Sequence, residues 1–93
     1  MTGPLDAAAV HERLERLDGW SVVEGRLHRE LQFPDFVTAF GFMARLALIA
    51  EKMNHHPDWS NSWNRVTVDI ISHAAGGITE ACFELASAAD HLT

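Results

Sequence analysis

A helix-like run bounded by two prolines, Pro34 and Pro57, is the feature around which this chain of 93 residues is organised. Proline is tolerated in the first turn of a helix, so Pro34 followed by Asp35 predicts a helix start. A residue that precedes a proline is pushed away from helical angles. The helix is therefore expected to end near Asn54, because His56 precedes the second proline.

The spacing of apolar residues predicts which face of this helix is buried. Positions three and four residues apart form one stripe, and neighbouring positions broaden it. The stripe consists of Phe36, Phe40, Met43, Ala47 and Ala50, broadened by Phe42, Leu46 and Ile49.

Each flank of the central helix contains a pair of strand-like segments and one further helix. Asp6 can cap a helix over residues 7–17, and residues 20–23 and 27–33 flank a glycine turn typical of a hairpin. Residues 59–63 and 66–72 form a second strand pair, joined around Asn64 and Arg65. Thr79 and Glu80 begin a last helix after the Gly76-Gly77 turn.

The resulting order, α-β-β-α-β-β-α, predicts an α+β fold. We expect a single domain over residues 1–93, with a four-stranded antiparallel sheet and the helices packed on one face. A core of this size is thin, which favours burial of further surface by self-association.

Composition excludes several classes of function. The net charge is −6 and no basic run exists, which argues against nucleic acid as a ligand. Cys82 is the only cysteine, so neither a disulfide framework nor a thiolate zinc site is expected. The N-terminus does not resemble a signal peptide, and the longest apolar stretch is interrupted by Arg45. We therefore expect a cytoplasmic protein without a membrane partner.

Three histidines are candidates for proton transfer. His55 and His56 are adjacent, just before Pro57, and His73 follows His55 by 18 residues at the end of a strand-like segment. Imidazole is the side chain whose unperturbed pKa, about 6.5, suits exchange of protons near neutral pH. A three-histidine zinc site is a competing interpretation, although the spacings that help ligation are absent. Each histidine could also be a solvated loop residue, as we expect for His11, His28 and His91.

Two tryptophans could support a site near these histidines. Trp59 and Trp63 are four residues apart on one face of a predicted strand. They could pack in the core or an interface, or they could form a flat wall beside a heteroaromatic ligand.

The segment over residues 36–66 resembles the pterin-4a-carbinolamine dehydratases, also called 4a-hydroxytetrahydrobiopterin dehydratases. The family signature is an acidic residue, three positions, His-His-Pro, five or six positions, an aromatic residue, nine positions and a histidine. The residues that fill it here are Glu51, His55, His56, Pro57, Trp63 and His73. The resemblance extends over residues 14–92, nearly the whole chain.

The resemblance implies an α+β fold whose dimers join into a tetramer. It implies dehydration of 4a-hydroxytetrahydropterin to quinonoid dihydropterin, by histidine acid–base catalysis with no metal or redox cofactor. That activity would recycle the pterin of an aromatic amino acid hydroxylase. The implied catalytic residues are His55, His56 and His73, and the implied substrate contacts are His55, His56, Pro57, Ser72, His73, Ala74 and Ala75.

One position departs from the family pattern. The pattern closes with an aspartate in the final helix, and Cys82 occupies that place, while Glu84 is turned away from it on a helix. If the aspartate orients a histidine, activity here is reduced. The alternative is a weakened or inactive member that acts as a protein-binding, assembly or dimerisation factor.

Overall fold

The computed structural model describes residues 3–93 and has the element order that the sequence predicts. The elements are α1 (Ala7–Leu14), β1 (Ser21–Val23), β2 (Arg26–Gln32), α2 (Phe36–Met53), β3 (Asp58–Ser62), β4 (Arg65–Ile70) and α3 (Glu80–His91). The predicted α+β class and the α-β-β-α-β-β-α order are confirmed.

The four strands form one antiparallel sheet in the order β1-β2-β4-β3. Its inward face is apolar because successive residues of a strand point to opposite sides. The buried residues of the two central strands are Leu27, Leu31, Val66, Val68 and Ile70, and they share one core with residues of α2 and α3. The prediction of helices packed on one face of a four-stranded sheet is confirmed.

The two hairpin turns differ in their agreement with the sequence. Glu24 and Gly25, at φ 52° and 75°, form the predicted β1–β2 turn. Positive φ at both residues of a two-residue loop matches the right-handed twist of the flanking strands. The second turn, however, consists of Trp63 and Asn64. The prediction that Trp63 continues the strand is wrong. The reason is that backbone and side chain of Asn64 both bond to Phe33, at 2.8 and 2.9 Å, which fixes the turn one residue earlier.

Helix α1 is shorter than the predicted span of residues 7–17, because it ends at Leu14. After that residue the N–H groups of Arg16 and Leu17 bond to carbonyls three residues back, at 3.1 and 3.0 Å. This tighter pattern ends the α-helical geometry although the apolar spacing continues.

Helix α2 begins and ends where the sequence predicts. Asp35 Oδ1 accepts the N–H of Thr38 at 2.8 Å, and Asn54 caps the other end in the left-handed conformation, with φ 53°. In the described chain, residues 3–93, no helix has both the length and the apolar character needed to cross a bilayer.

The buried face of α2 is rotated relative to the predicted stripe. Its fully buried residues are Ala39, Phe42, Leu46 and Ala50. Phe36 and Phe40 were predicted to lie in the core, but they are 48% and 57% exposed, and Ala47 is exposed as well. The rings of Phe42 and Phe33 pack with their centroids 5.1 Å apart, which turns that side of the helix toward the sheet.

The expectation that His28 is simply solvated is wrong. Its Nδ1 donates to Asp69 Oδ1 at 2.8 Å across the β2–β4 pair, and its Nε2 lies 3.3 Å from Glu30 Oε2. The hydrogen bond that His28 donates to Asp69 is the main cause that raises the pKa of His28 above its ordinary value, with burial opposing it and Glu30 adding to it.

This raised pKa predicts that His28 stabilises the fold at low pH. Its contribution is fully present below the unfolded-state pKa, about 6.5, and is lost as the pH rises through the higher folded-state value. Urea unfolding of wild type and His28→Gln, measured from pH 6 to 9, should therefore show free energies of unfolding that converge with rising pH. A constant difference between the two proteins across this range contradicts the prediction.

Candidate active site

The two adjacent histidines lie at a corner where α2 meets β3. Asn54 reverses the chain direction in the left-handed conformation, and the backbone N–H of His55 still bonds to the carbonyl of Ala50 at 3.0 Å. His56 and Pro57 then lead directly into β3. Both imidazoles are consequently attached to the end of a packed helix.

The third histidine lies in a tight loop after β4. Ser72 organises this loop, because its N–H donates to the Gly77 carbonyl and its own carbonyl accepts from Gly76, both at 2.9 Å. Ser72 Oγ also accepts the N–H of Ala75 at 3.2 Å. Gly76 takes φ 76°, which a glycine adopts without strain. These bonds hold His73 in the loop.

The corner and the loop enclose a cavity of about 260 Å³ between them. Of the predicted catalytic and substrate-contacting residues, it brings together His55, His56, Ser72, His73 and Ala74. Pro57 and Ala75, also predicted as substrate contacts, do not line it. Asn54 and Ile71 complete the lining.

The environment of His55 favours a neutral imidazole. Burial is the main cause that lowers the pKa of His55, and the positive charges of His56 and His73 add to this, while Glu84 opposes it. Its Nε2 is shielded from solvent and has no hydrogen-bond partner within residues 3–93. A buried polar atom without a partner costs about 1–3 kcal/mol.

The other two imidazoles each lie beside a carboxylate. His56 Nε2 donates to Glu51 Oε1 at 2.8 Å, across one turn at the end of α2. His73 Nε2 is 3.4 Å from Oδ2 of Asp58, and Asp58 is the first residue of β3. A carboxylate can only accept, so the bond to Glu51 fixes the proton of His56 on Nε2, whereas His73 and Asp58 approach at ion-pair distance. The site therefore combines one half-buried imidazole with two that lie beside carboxylates.

Three residues predicted to support the pocket lie elsewhere. Trp59 is half-buried against the core, and Trp63 is 67% exposed in the β3–β4 turn. Cys82 is fully buried, and its Sγ accepts the N–H of Thr79 at 3.4 Å at the start of α3. Glu51, the fourth predicted support, is hydrogen-bonded to His56 of the cavity.

Sequence reasoning missed Asn54, Ile71 and Asp58 as parts of the site. Asn54 has a signal, since asparagine commonly ends a helix in the left-handed conformation. Ile71 and Asp58 carry no local signal, because their place depends on how β3 and β4 pair.

A larger cavity, of about 560 Å³, lies between α1 and residues 76–78. Its lining is mostly apolar, and His11 is the titratable residue in it. Because acid–base chemistry needs paired titratable groups, the smaller histidine cavity is the candidate active site. In the part of the chain that the structure describes, no three His, Cys, Asp or Glu side chains form a group that could hold a metal ion.

Comparison with known proteins agrees with this geometry. Residues 3–92 match the family model for pterin 4 alpha carbinolamine dehydratase. The chain belongs to this family. The family assignment confirms the resemblance seen in the residues of the histidine signature.

Members of the pterin 4 alpha carbinolamine dehydratase family are similar to the chain over nearly its whole length. A Solibacter usitatus protein, provisionally named as such a dehydratase, is 50% identical over 99% of this chain and 97% of its own. A Brucella ovis protein with the same provisional name is 48% identical over 88% of this chain and 87% of its own.

A solved structure shares the family fold. The crystal structure of a transcriptional coactivator/pterin dehydratase from Brucella melitensis superposes with a TM-score of 0.93 at 43% identity. The match covers 97% of this chain and 98% of that one.

Proposed function

We propose that this protein is a 4a-hydroxytetrahydropterin dehydratase, which eliminates water from the 4a-carbinolamine to give quinonoid dihydropterin. The observation that carries the proposal is the convergence of three imidazoles on one small cavity. Its volume, about 260 Å³, is just below the range of about 300–1,000 Å³ typical of sites for drug-sized ligands, and it suits a small bicyclic ring.

His55 is the general base in this proposal. The elimination requires removal of a proton from a ring N–H, and a base must be unprotonated at the working pH. The lowered pKa of His55 keeps its imidazole neutral near pH 7. The electrons of the N–H bond then become the nitrogen lone pair that expels the oxygen at C4a.

His73 is the general acid. The C4a–O bond breaks more easily when the leaving hydroxyl receives a proton and departs as water. The carboxylate of Asp58 lies beside His73, with Oδ2 3.4 Å from the ring Nε2. His56, with its proton directed to Glu51, contributes binding of the ring. The balance is one proton taken by His55 and one given by His73, so neither a metal nor a redox cofactor is required.

The direct test is the decay of 4a-carbinolamine absorbance, followed in stopped-flow after the intermediate is generated by a pterin-dependent aromatic amino acid hydroxylase. Purified protein should accelerate the decay in proportion to its concentration. Decay at the buffer rate, with protein that is folded by circular dichroism, contradicts the proposal. Coupling to the hydroxylase also tests the pterin recycling that the resemblance implies.

A weakened enzyme with a protein-binding role is the second candidate. Cys82 stands where the resemblance implies an aspartate, and its thiol is used within the core to bond to Thr79. The similar Brucella melitensis protein is described as a coactivator as well as a dehydratase. A stoichiometric protein partner, together with no pterin binding by calorimetry, favours this candidate.

We propose that the protein self-associates through α2. One face of this helix exposes large apolar side chains, with Phe36, Val37, Phe40 and Leu48 between 48% and 78% exposed. Ala44 and Ala47 lie on the same face and are small enough to let a second helix approach closely. An apolar stripe of this kind is typical of an interface.

Phe40→Glu is expected to shift the protein toward smaller species, because it places a charge in the centre of this face. Light scattering coupled to size-exclusion chromatography measures the mass directly. Thr38→Glu is the matched control, since it adds the same charge to the same helix away from the apolar face. Identical masses for the wild type and Phe40→Glu would exclude this interface.

A further inference from the structure

Two aspartates lie directly opposite each other near the edge of the sheet. Asp58 of β3 is the cross-strand partner of Asp69 of β4. Residues directly opposite in an antiparallel pair share a face, and like charges in that position are destabilising. Sequences retain such local conflicts mainly where function requires them.

The partners of the two carboxylates are different. Asp69 is bound to His28 of β2, outside the cavity, at 2.8 Å. Asp58 Oδ2 lies 3.4 Å from Nε2 of His73, which lines the cavity, and 3.4 Å from Nη1 of Arg26. Asp58 therefore connects the loop of the candidate active site to the sheet.

Stability does not account for the pair of Asp58 and His73. Their side chains are 49% and 69% exposed, and ion pairs at such exposure contribute only about 0–1 kcal/mol. Orientation is a different matter, because a carboxylate that accepts one ring N–H fixes both the tautomer and the direction of the ring. The other nitrogen is then left to exchange a proton with a ligand.

We propose that Asp58 is a positioning residue for His73 in the dehydration, held in place by Arg26. The proposal rests on the proposed function. Asp58 Oδ2, 3.4 Å from Nε2 of His73, holds the imidazolium with Nε2–H toward the carboxylate. Nδ1–H then delivers its proton to the leaving hydroxyl, and His73 is left neutral with its remaining proton on Nε2. The guanidinium of Arg26 stabilises the Asp58 carboxylate, and this attraction compensates for the repulsion between Asp58 and Asp69. Asp58 itself does not touch the substrate.

Asp58→Ala and Asp69→Ala form a matched pair for the test, since each removes one charge from the same cross-strand pair. Asp58→Ala should lower kcat by about 10-fold or more with KM within about twofold, because positioning acts on the chemical step. Asp69→Ala should leave kcat within about twofold of wild type, and Asp58→Glu should restore most of the loss. In a His73→Ala background, Asp58→Ala should have no further effect, because the two residues act as a unit.

The ¹⁵N shifts of the His73 ring provide a readout that does not depend on activity. At high pH, where imidazoles are neutral, wild type and Asp69→Ala should show a single tautomer with the remaining proton on Nε2, and Asp58→Ala should show a mixture of tautomers. Equal losses of kcat in the two alanine variants, or His73 shifts unchanged in Asp58→Ala, overturn the proposal. Wild-type protein that does not accelerate the dehydration contradicts the proposed function, whereas an active wild type with an equally active Asp58→Ala contradicts only the role of Asp58.

Discussion

His55→Ala and His73→Ala are each expected to lower the dehydration rate by at least about 100-fold, because general acid–base catalysis contributes about 10²–10⁴-fold. Alanine at position 55 keeps the backbone N–H that bonds to Ala50 at the end of α2. The helix end is therefore preserved while the imidazole is removed. The rate is measured from the decay of carbinolamine absorbance under single-turnover conditions.

The pH profile distinguishes the two histidines. If His55 is the base, wild-type activity should fall as the pH decreases through its lowered pKa, and this acidic limb should be missing in the residual activity of His55→Ala. His11→Ala serves as the control, because His11 is exposed and lies in the other cavity. Dehydration rates of His55→Ala and His73→Ala that both remain within about twofold of the wild-type rate would rule out the proposed mechanism.

Phe42→Ala is expected to reduce the free energy of unfolding by about 3–5 kcal/mol, as for other buried phenylalanines. Phe42 is fully buried and packs against Phe33 at 5.1 Å between the ring centroids. The free energy of unfolding of a domain of this size is about 5–15 kcal/mol, so the substitution should remove a large fraction of it. Urea unfolding of both proteins at 25 °C measures the difference between the free energies of unfolding of wild type and Phe42→Ala.

Phe40→Ala provides the matched control on the same helix. Phe40 is 57% exposed in the single chain, so its replacement should change the stability of the monomer by less than about 1 kcal/mol. The comparison is made at protein concentrations low enough to keep the chain monomeric, because self-association would add to stability. Similar losses in both variants would mean that the buried face of α2 is not the one described.

Local signals predicted the fold well because they coincide with physical constraints. Asp35 and Asn54 mark the ends of α2 through bonds to neighbouring backbone groups, and these depend on sequence alone. The buried side of α2 was predicted only in part: Phe42, Leu46 and Ala50 of the broadened stripe are buried, whereas Phe36 and Phe40 are exposed. Apolar residues occur on two faces, and only docking on the sheet selects Phe42 over Phe40. Trp63 shows the same limit, because its place in a turn depends on contacts of Asn64 with the distant Phe33.

The candidate site was predicted in its histidines and missed in its partners. The imidazoles at positions 55, 56 and 73 carry a recognisable spacing, and all three line the cavity. The approach of Asp58 to His73 depends on strand register, which no pattern within either segment encodes. The aromatic support expected from Trp59 and Trp63 is absent from the cavity lining, because one packs on the core and the other turns to solvent.

Strand β4 has a consequence for how such proteins diversify. Val66, Val68 and Ile70 face the core, whereas Thr67 and Asp69 face the opposite side of the sheet. Positions that hold the scaffold together and positions near the polar surface thus alternate along one segment, each separated from the next by a single peptide bond. Evolution can alter one set without repacking the other, so a lineage can gain, tune or lose a chemical role while it keeps the same architecture.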